Sequence, residues 1–151
     1  MYRTIIAKGY QQYFLQVSYF PGNNPLWQFS VFEDTSKWNM SHTSAADKQW
    51  VLLTGVRHGT DQNLYCNGEL VVKTVNTSQV FSQPDTYLRD TSDDFTIGRF
   101  FKEATFPITG YCYFKGAIDE VRVCGTVRSA DWIKLCYMNQ RSDDKLVQMT
   151  K

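Results

Sequence analysis

Apolar and polar residues alternate with a period of two along much of this chain. In "YFLQVSYF", residues 13–20, Tyr13, Leu15, Val17 and Tyr19 fall on one face, as a half-buried strand requires. The loop "PGNNP" follows, and "LWQFSVF" then sets Trp27, Phe29 and Val31 at alternate positions, so the two runs read as a hairpin. The polar stretch from Glu33 to Lys48, which contains His42, reads as a loop. Beyond it lie further runs of strand length separated by turn residues: "QWVLLTGVR", "NLYCNGELVVKTV", "FTIGRFF" and "YCYFKGAIDEVRV". In the second of these, Asn67-Gly68 between two apolar runs is a strong hairpin signal, because both turn positions need positive φ. A helix is predicted in "VRSADWIKLCYMNQ". Ser129 is placed to cap it, Asp131 lies in its first turn, and Trp132, Leu135 and Cys136 share a face. Short strands spaced by turns, with one terminal helix, predict an all-β chain: a two-sheet antiparallel sandwich closed by one short C-terminal helix.

The run 110–123 breaks its own pattern. Under strict alternation Ile118 falls on the face opposite Val121 and Val123. A β-bulge near Asp119 and Glu120 would restore the register and re-aim a carboxylate out of the sheet plane.

At 151 residues the chain is a single domain by length, and 42% apolar content is enough for a core. The 10 Phe, 9 Tyr and 4 Trp exceed what a minimal core needs, which fits stacking on flat ligands such as sugars or bases, although sandwich cores also use rings. Sixteen basic and fifteen acidic residues with no basic run leave no footprint for nucleic acid. No apolar span of about 18 residues is present, so no membrane span is expected. The N-terminus "MYRTIIAKGYQQ" has no apolar core of a signal peptide; export would use a signal in a longer parent protein. Cys66, Cys112, Cys124 and Cys136 show no C-x-x-C spacing and no nearby histidine. They permit two disulfides in an oxidising compartment or stay as buried thiols.

"QWVLLTGVRHGTDQNLYCNGELV", "FTIGR" and "YFKGAIDEVRVCGTVRSADWIKL", in this order, resemble the closing half of a laminin-G-like jelly roll of the concanavalin A-like lectin/glucanase superfamily. The tail "RSADWIKLCYMNQRSDDKLV" is similar to versions in secreted multidomain proteins of plant-fibre-degrading bacteria. The resemblance implies one jelly-roll domain over residues 1–151, lacking the family's first strand or strands before Thr4 to Gly9. A missing strand would expose an edge, to be filled by a second copy in a homodimer or covered by the C-terminal tail around Leu146 and Val147.

Glucanases of this fold carry carboxylates in an E-x-D-x-x-E pattern, with the retaining pair about 5–5.5 Å apart. Around Asp119 the matching positions are Ala117 and Arg122, so a glycoside hydrolase fragment is the least supported of three readings. Calcium fits better, as jelly rolls of this kind clip terminal strands with such an ion; Asp119 is the candidate ligand, buried or half-buried. In the plainer alternative Asp119 bonds backbone amides across the sandwich, while Glu120 pairs with Arg122 or Lys115. The acidic "DTSDDF" reads as solvated loop. The leading expectation is a non-catalytic module binding plant cell-wall polysaccharide outside the cell, with Phe20, Trp38, Tyr87, Phe101 and Tyr111 as candidate stacking rings. The competing expectation is a structural or adhesion module.

Overall fold

The structure of the protein, a computed structural model, describes residues 2–9, 12–19, 24–33, 38–45, 48–74, 92–100 and 112–141, with the backbone alone at 38, 39 and 74. The described strands are β1 (Tyr2–Lys8), β2 (Tyr13–Ser18), β3 (Leu26–Phe32), β4 (Trp38–Ser44), β5 (Leu53–His58), β6 (Asp61–Cys66), β7 (Glu69–Thr74) and β8 (Phe95–Ile97), followed by the helix α1 (Ala130–Asn139). They form a five-stranded antiparallel sheet in the order β4-β3-β2-β1-β8 and a three-stranded one in the order β5-β6-β7. This is the two-sheet antiparallel sandwich with one short helix that the alternation predicted, and it is consistent with the jelly roll that the resemblance implied.

Register converts alternation into a core. β2 and β3 pair Tyr13 with Val31, Leu15 with Phe29 and Val17 with Trp27, so the odd-numbered positions of both strands share the inner face. Phe29, Val31 and Leu64 are buried there, with Tyr13, Leu15, Trp27, Leu53 and Val72 packed against them. The two sheets are in tight contact at Gly55, where a Cβ would lie 2.5 Å from the Phe29 ring. Beside that contact the buried Gln62 bridges the sheets, its Nε2 donating to the Phe29 carbonyl at 2.9 Å and to Ser41 Oγ at 3.0 Å. On the far side of the five-stranded sheet Phe14 meets Phe32 and Phe100 with ring centroids 5.7 and 5.6 Å apart.

The predicted turn and cap are present. Asn67 and Gly68 adopt φ of 53° and 81°. Asn67 also grips the start of β5: its N–H donates to the Leu52 carbonyl at 2.8 Å, and its Oδ1 accepts the Leu52 N–H at 3.0 Å. Ser129 Oγ accepts the Trp132 N–H at 3.2 Å. The face that α1 buries is different from the predicted one. Ile133 is 1% exposed, whereas Trp132 and Leu135 face solvent. The β6–β7 turn decides this, because Gly68 sits so close to the helix that a Cβ would lie 3.0 Å from Lys134 Cα. The Arg128 guanidinium covers the Trp132 ring at 4.9 Å.

Two expectations fail on backbone pairing. The stretch Glu33–Lys48, read as loop, contains β4, which pairs with β3 from Phe32↔Trp38 to Leu26↔Ser44. An edge strand has one ladder and a wet side, so its polar side chains do not oppose it. The run "YCYFKGAIDEVRV" forms no named strand over its described residues. Tyr113 makes a single parallel bridge to Thr4, through the Thr4 N–H and the Cys112 carbonyl at 3.0 Å. Glu120 at φ 53° then turns the chain out of extended geometry. The register shifts lie elsewhere, at Thr4/Ile6 in β1 and Leu64/Tyr65 in β6, and β1, flanked by β2 and β8, is interior to its sheet.

All four cysteines are free thiols, but they are not the buried ones of the second reading: Cys66, Cys112 and Cys136 are half-buried and Cys124 is exposed. Burial pushes the Cys66 and Cys112 thiols and the Tyr13 phenol above their ordinary ranges. A pKa raised by folding means that the unfolded chain loses its proton first, so this contribution to stability is complete below the unfolded pKa and is lost as pH rises through the folded one. Urea unfolding under reducing conditions should therefore show stability falling as pH climbs through the alkaline thiol range, with a shallower fall in Cys66→Ser. Gly55→Ala should cost about 1–3 kcal/mol by overpacking Phe29, which at this size is about 2–4 °C of Tm per kcal/mol. An unchanged Tm in scanning calorimetry would contradict the close packing of the two sheets.

Candidate functional site

The two faces of the five-stranded sheet differ in chemistry. Where the inner face is aromatic and aliphatic, register aligns Thr4, Gln16, Gln28 and His42 in one row across the outer face, from β1 to β4. Neighbouring strands lie about 4.8 Å apart, so the row is about 14 Å long. The Phe14, Phe32 and Phe100 cluster borders it. Gln16 and Gln28 are each 4% exposed, and Thr4 and Ser30 are buried. Burying an amide costs about 1–3 kcal/mol unless it is hydrogen-bonded, and these two are: Gln16 Nε2 donates to Gln28 Oε1 at 3.1 Å, and Gln28 Nε2 donates to Ser30 Oγ at 2.8 Å. The Thr4 hydroxyl at the β1 end is buried without a partner. At the β4 end the row opens, because His42 and Ser44 are exposed and Met40 is half-buried.

Of the rings chosen from sequence, Trp38 occupies the first position of β4, paired through its backbone with Phe32. Phe20, Tyr87, Phe101 and Tyr111 lie outside the described residues. Asp119 is exposed, which corrects the expectation of burial at a bulge. Its Oδ1 accepts the N–H of the next residue, Glu120, at 2.8 Å, a local bond in place of one across the sandwich. Glu120 pairs with Arg122 at 2.7 Å, as the plainer alternative had it, and that hydrogen bond holds the Arg122 guanidinium above its ordinary range. Among the described residues no three His, Cys, Asp or Glu side chains gather as a metal site.

Sequence reading missed the amide row. Gln16, Gln28 and Ser30 sit at the polar positions of two alternating strands, and polar positions are normally assigned to solvent. Two glutamines at facing register positions were the available signal. Trp50, just before β5, is 70% exposed.

Sheet order, the packed inner face and the hydroxyl- and amide-bearing outer face define an antiparallel jelly-roll sandwich with a polar sheet face. The chain belongs to the concanavalin A-like lectin/glucanases superfamily, whose laminin-G-type model matches residues 2–134. It is also similar to the crystal structure of residues 221–444 of an S-layer domain-containing protein from Clostridium thermocellum, at 19% identity and a TM-score of 0.47. That match covers 89% of this chain and 62% of the other, so the chain spans less than two thirds of that structure's length. No curated protein matches the sequence.

The network makes a stability prediction. Gln28→Leu strips Gln16 Nε2 and Ser30 Oγ of their partner and should destabilise by about 1–3 kcal/mol in thermal or urea unfolding. Adding Gln16→Leu should recover part of that loss, because removing both partners leaves fewer orphaned groups than removing one. Fully additive losses would show that the amides are not coupled.

Proposed function

We propose that this domain is a non-catalytic carbohydrate-binding module of a larger secreted bacterial protein, with plant cell-wall polysaccharide as ligand and the outer face of the five-stranded sheet as its site. The observation that carries the reading is the ordered amide and hydroxyl row opening at His42 and Ser44. The exposed His42 and Ser44 offer an imidazole and a hydroxyl at fixed strand positions that sugar hydroxyls can answer, while the buried Gln16 and Gln28 amides bond each other behind them. Superfamily membership supports sugar binding and covers lectins and glucanases alike. Against hydrolysis stands the chemistry of the carboxylates. Hydrolysis needs two facing one cleft, yet the register positions of the outer face hold none among the described residues. Asp119 and Glu120 are exposed and engaged locally.

A second reading, a protein-interaction module, is favoured by the exposed Val123, Val127 and Leu135 around α1, since apolar surface of this kind marks contacts between proteins. Pull-down on insoluble cellulose, xylan and mannan separates the two. Retention on at least one polymer is expected, with no release of reducing sugar. His42→Ala, a change at an exposed position, should weaken retention about 2- to 10-fold, the worth of one hydrogen bond. Capture of protein partners with no retention on any polysaccharide would favour the second reading.

A further inference from the structure

We infer that the site selects uncharged glycans and excludes uronate and sulfate polymers, an inference that rests on the carbohydrate-binding reading and narrows its ligand. Charge is divided unequally between the two sheets. In the five-stranded sheet β2, β3, β4 and β8 contain no Asp, Glu, Lys or Arg at all. The charged residues of that sheet are Arg3 and Lys8 in β1, and both are turned from the outer face and occupied. Arg3 pairs in register with Val17 and Lys8 with Tyr13, both inner positions. The Arg3 guanidinium lies over the Tyr19 ring at 5.7 Å, and Lys8 Nζ donates to the Asp93 carbonyl. The three-stranded sheet, by contrast, carries Arg57, Asp61, Glu69 and Lys73.

This distribution discriminates between ligands by desolvation. A hydroxyl that leaves water for a serine hydroxyl or an imidazole exchanges one hydrogen bond for another at a net gain of about 0.5–1.5 kcal/mol. A carboxylate or sulfate that leaves water for a face without a cation among its described residues forfeits several kcal/mol with nothing there to offset it. Nor does such a face steer a polyanion toward it from a distance.

Access fixes where the ligand lies. The row is closed at Gln16 and Gln28, 4% exposed, and open along the edge strand β4 at His42 and Ser44. The glycan therefore runs along β4, and the bonded Gln16–Gln28–Ser30 network behind it holds the neighbouring strand in place. Binding carried by uncharged groups is insensitive to salt, because screening acts on charge pairs.

Affinity electrophoresis tests this with two neutral polymers, mixed-linkage β-glucan and glucomannan, and two acidic ones, polygalacturonate and heparin, at about 20 mM and about 500 mM NaCl. The unaltered chain is expected to be retarded by a neutral polymer, with less than about a twofold change between the two salt levels, and by neither acidic one. His42→Arg should create salt-sensitive retardation on polygalacturonate, whereas Val71→Arg, an exposed position on β7, should not. Salt-sensitive retardation of the unaltered chain by an acidic polymer would overturn the inference and leave the carbohydrate-binding reading standing. An equal gain from Val71→Arg would overturn the placement along β4, and no retardation by any polymer would overturn both the inference and the reading beneath it.

Discussion

The contact between Phe29 and Gly55 is the constraint on which the rest of the structure depends. The ring sits where a second carbon on Gly55 would stand, 2.5 Å from it, and Gln62 locks the same point by bonding the Phe29 carbonyl. Once Phe29 is committed to the inner face, Gln28 and Ser30 are committed to the outer one. β2 follows through the Leu15↔Phe29 pair and β4 through Phe29↔Ser41. A slip of one residue would carry the glutamines into the core and the aromatic residues out to the other side. Core packing thus decides the chemistry of the surface proposed to meet a ligand.

Much of the fold was legible because its signals are local. The alternation in 13–20 and 26–32, the Asn67-Gly68 turn and the Ser129 cap each act within a few residues, and each is found as read. β4 was not legible, because an edge strand is held by its backbone ladder to β3 and needs no apolar face of its own. The run around Asp119 misled in the opposite way. Its branched and aromatic residues have strand propensity, yet Glu120 adopts a left-handed φ that no side-chain pattern announces. The face of α1 depended on a partner far away in sequence, the turn at Gly68. The outer amide row failed to show because polarity alone does not distinguish a solvated glutamine from one bonded to another glutamine.

Polar groups in this molecule divide into those that build and those that are merely solvated. Gln16, Gln28 and Gln62 are buried and bonded, so each fixes a geometry that an apolar residue would leave loose. The conspicuous acids are of the second kind. The Glu120–Arg122 and Lys134–Glu69 pairs are exposed, and such pairs add little to stability. The residues that first drew attention by their charge are thus less informative than neutral ones that drew none.

Strand order also carries a consequence in time. β1 to β4 form one meander and β5 to β7 another, so nearly every ladder joins neighbours in the chain. Among the described strands the exception is the closure of β1 by β8, where the Thr96 hydroxyl reaches the Ala7 carbonyl across 89 residues of sequence. Closing so long a loop is entropically expensive before any contact rewards it. In the direction of synthesis, the strands bearing the glutamine row are complete once Ser44 has been added, while the strand that seals the far edge of their sheet waits for Phe95–Ile97.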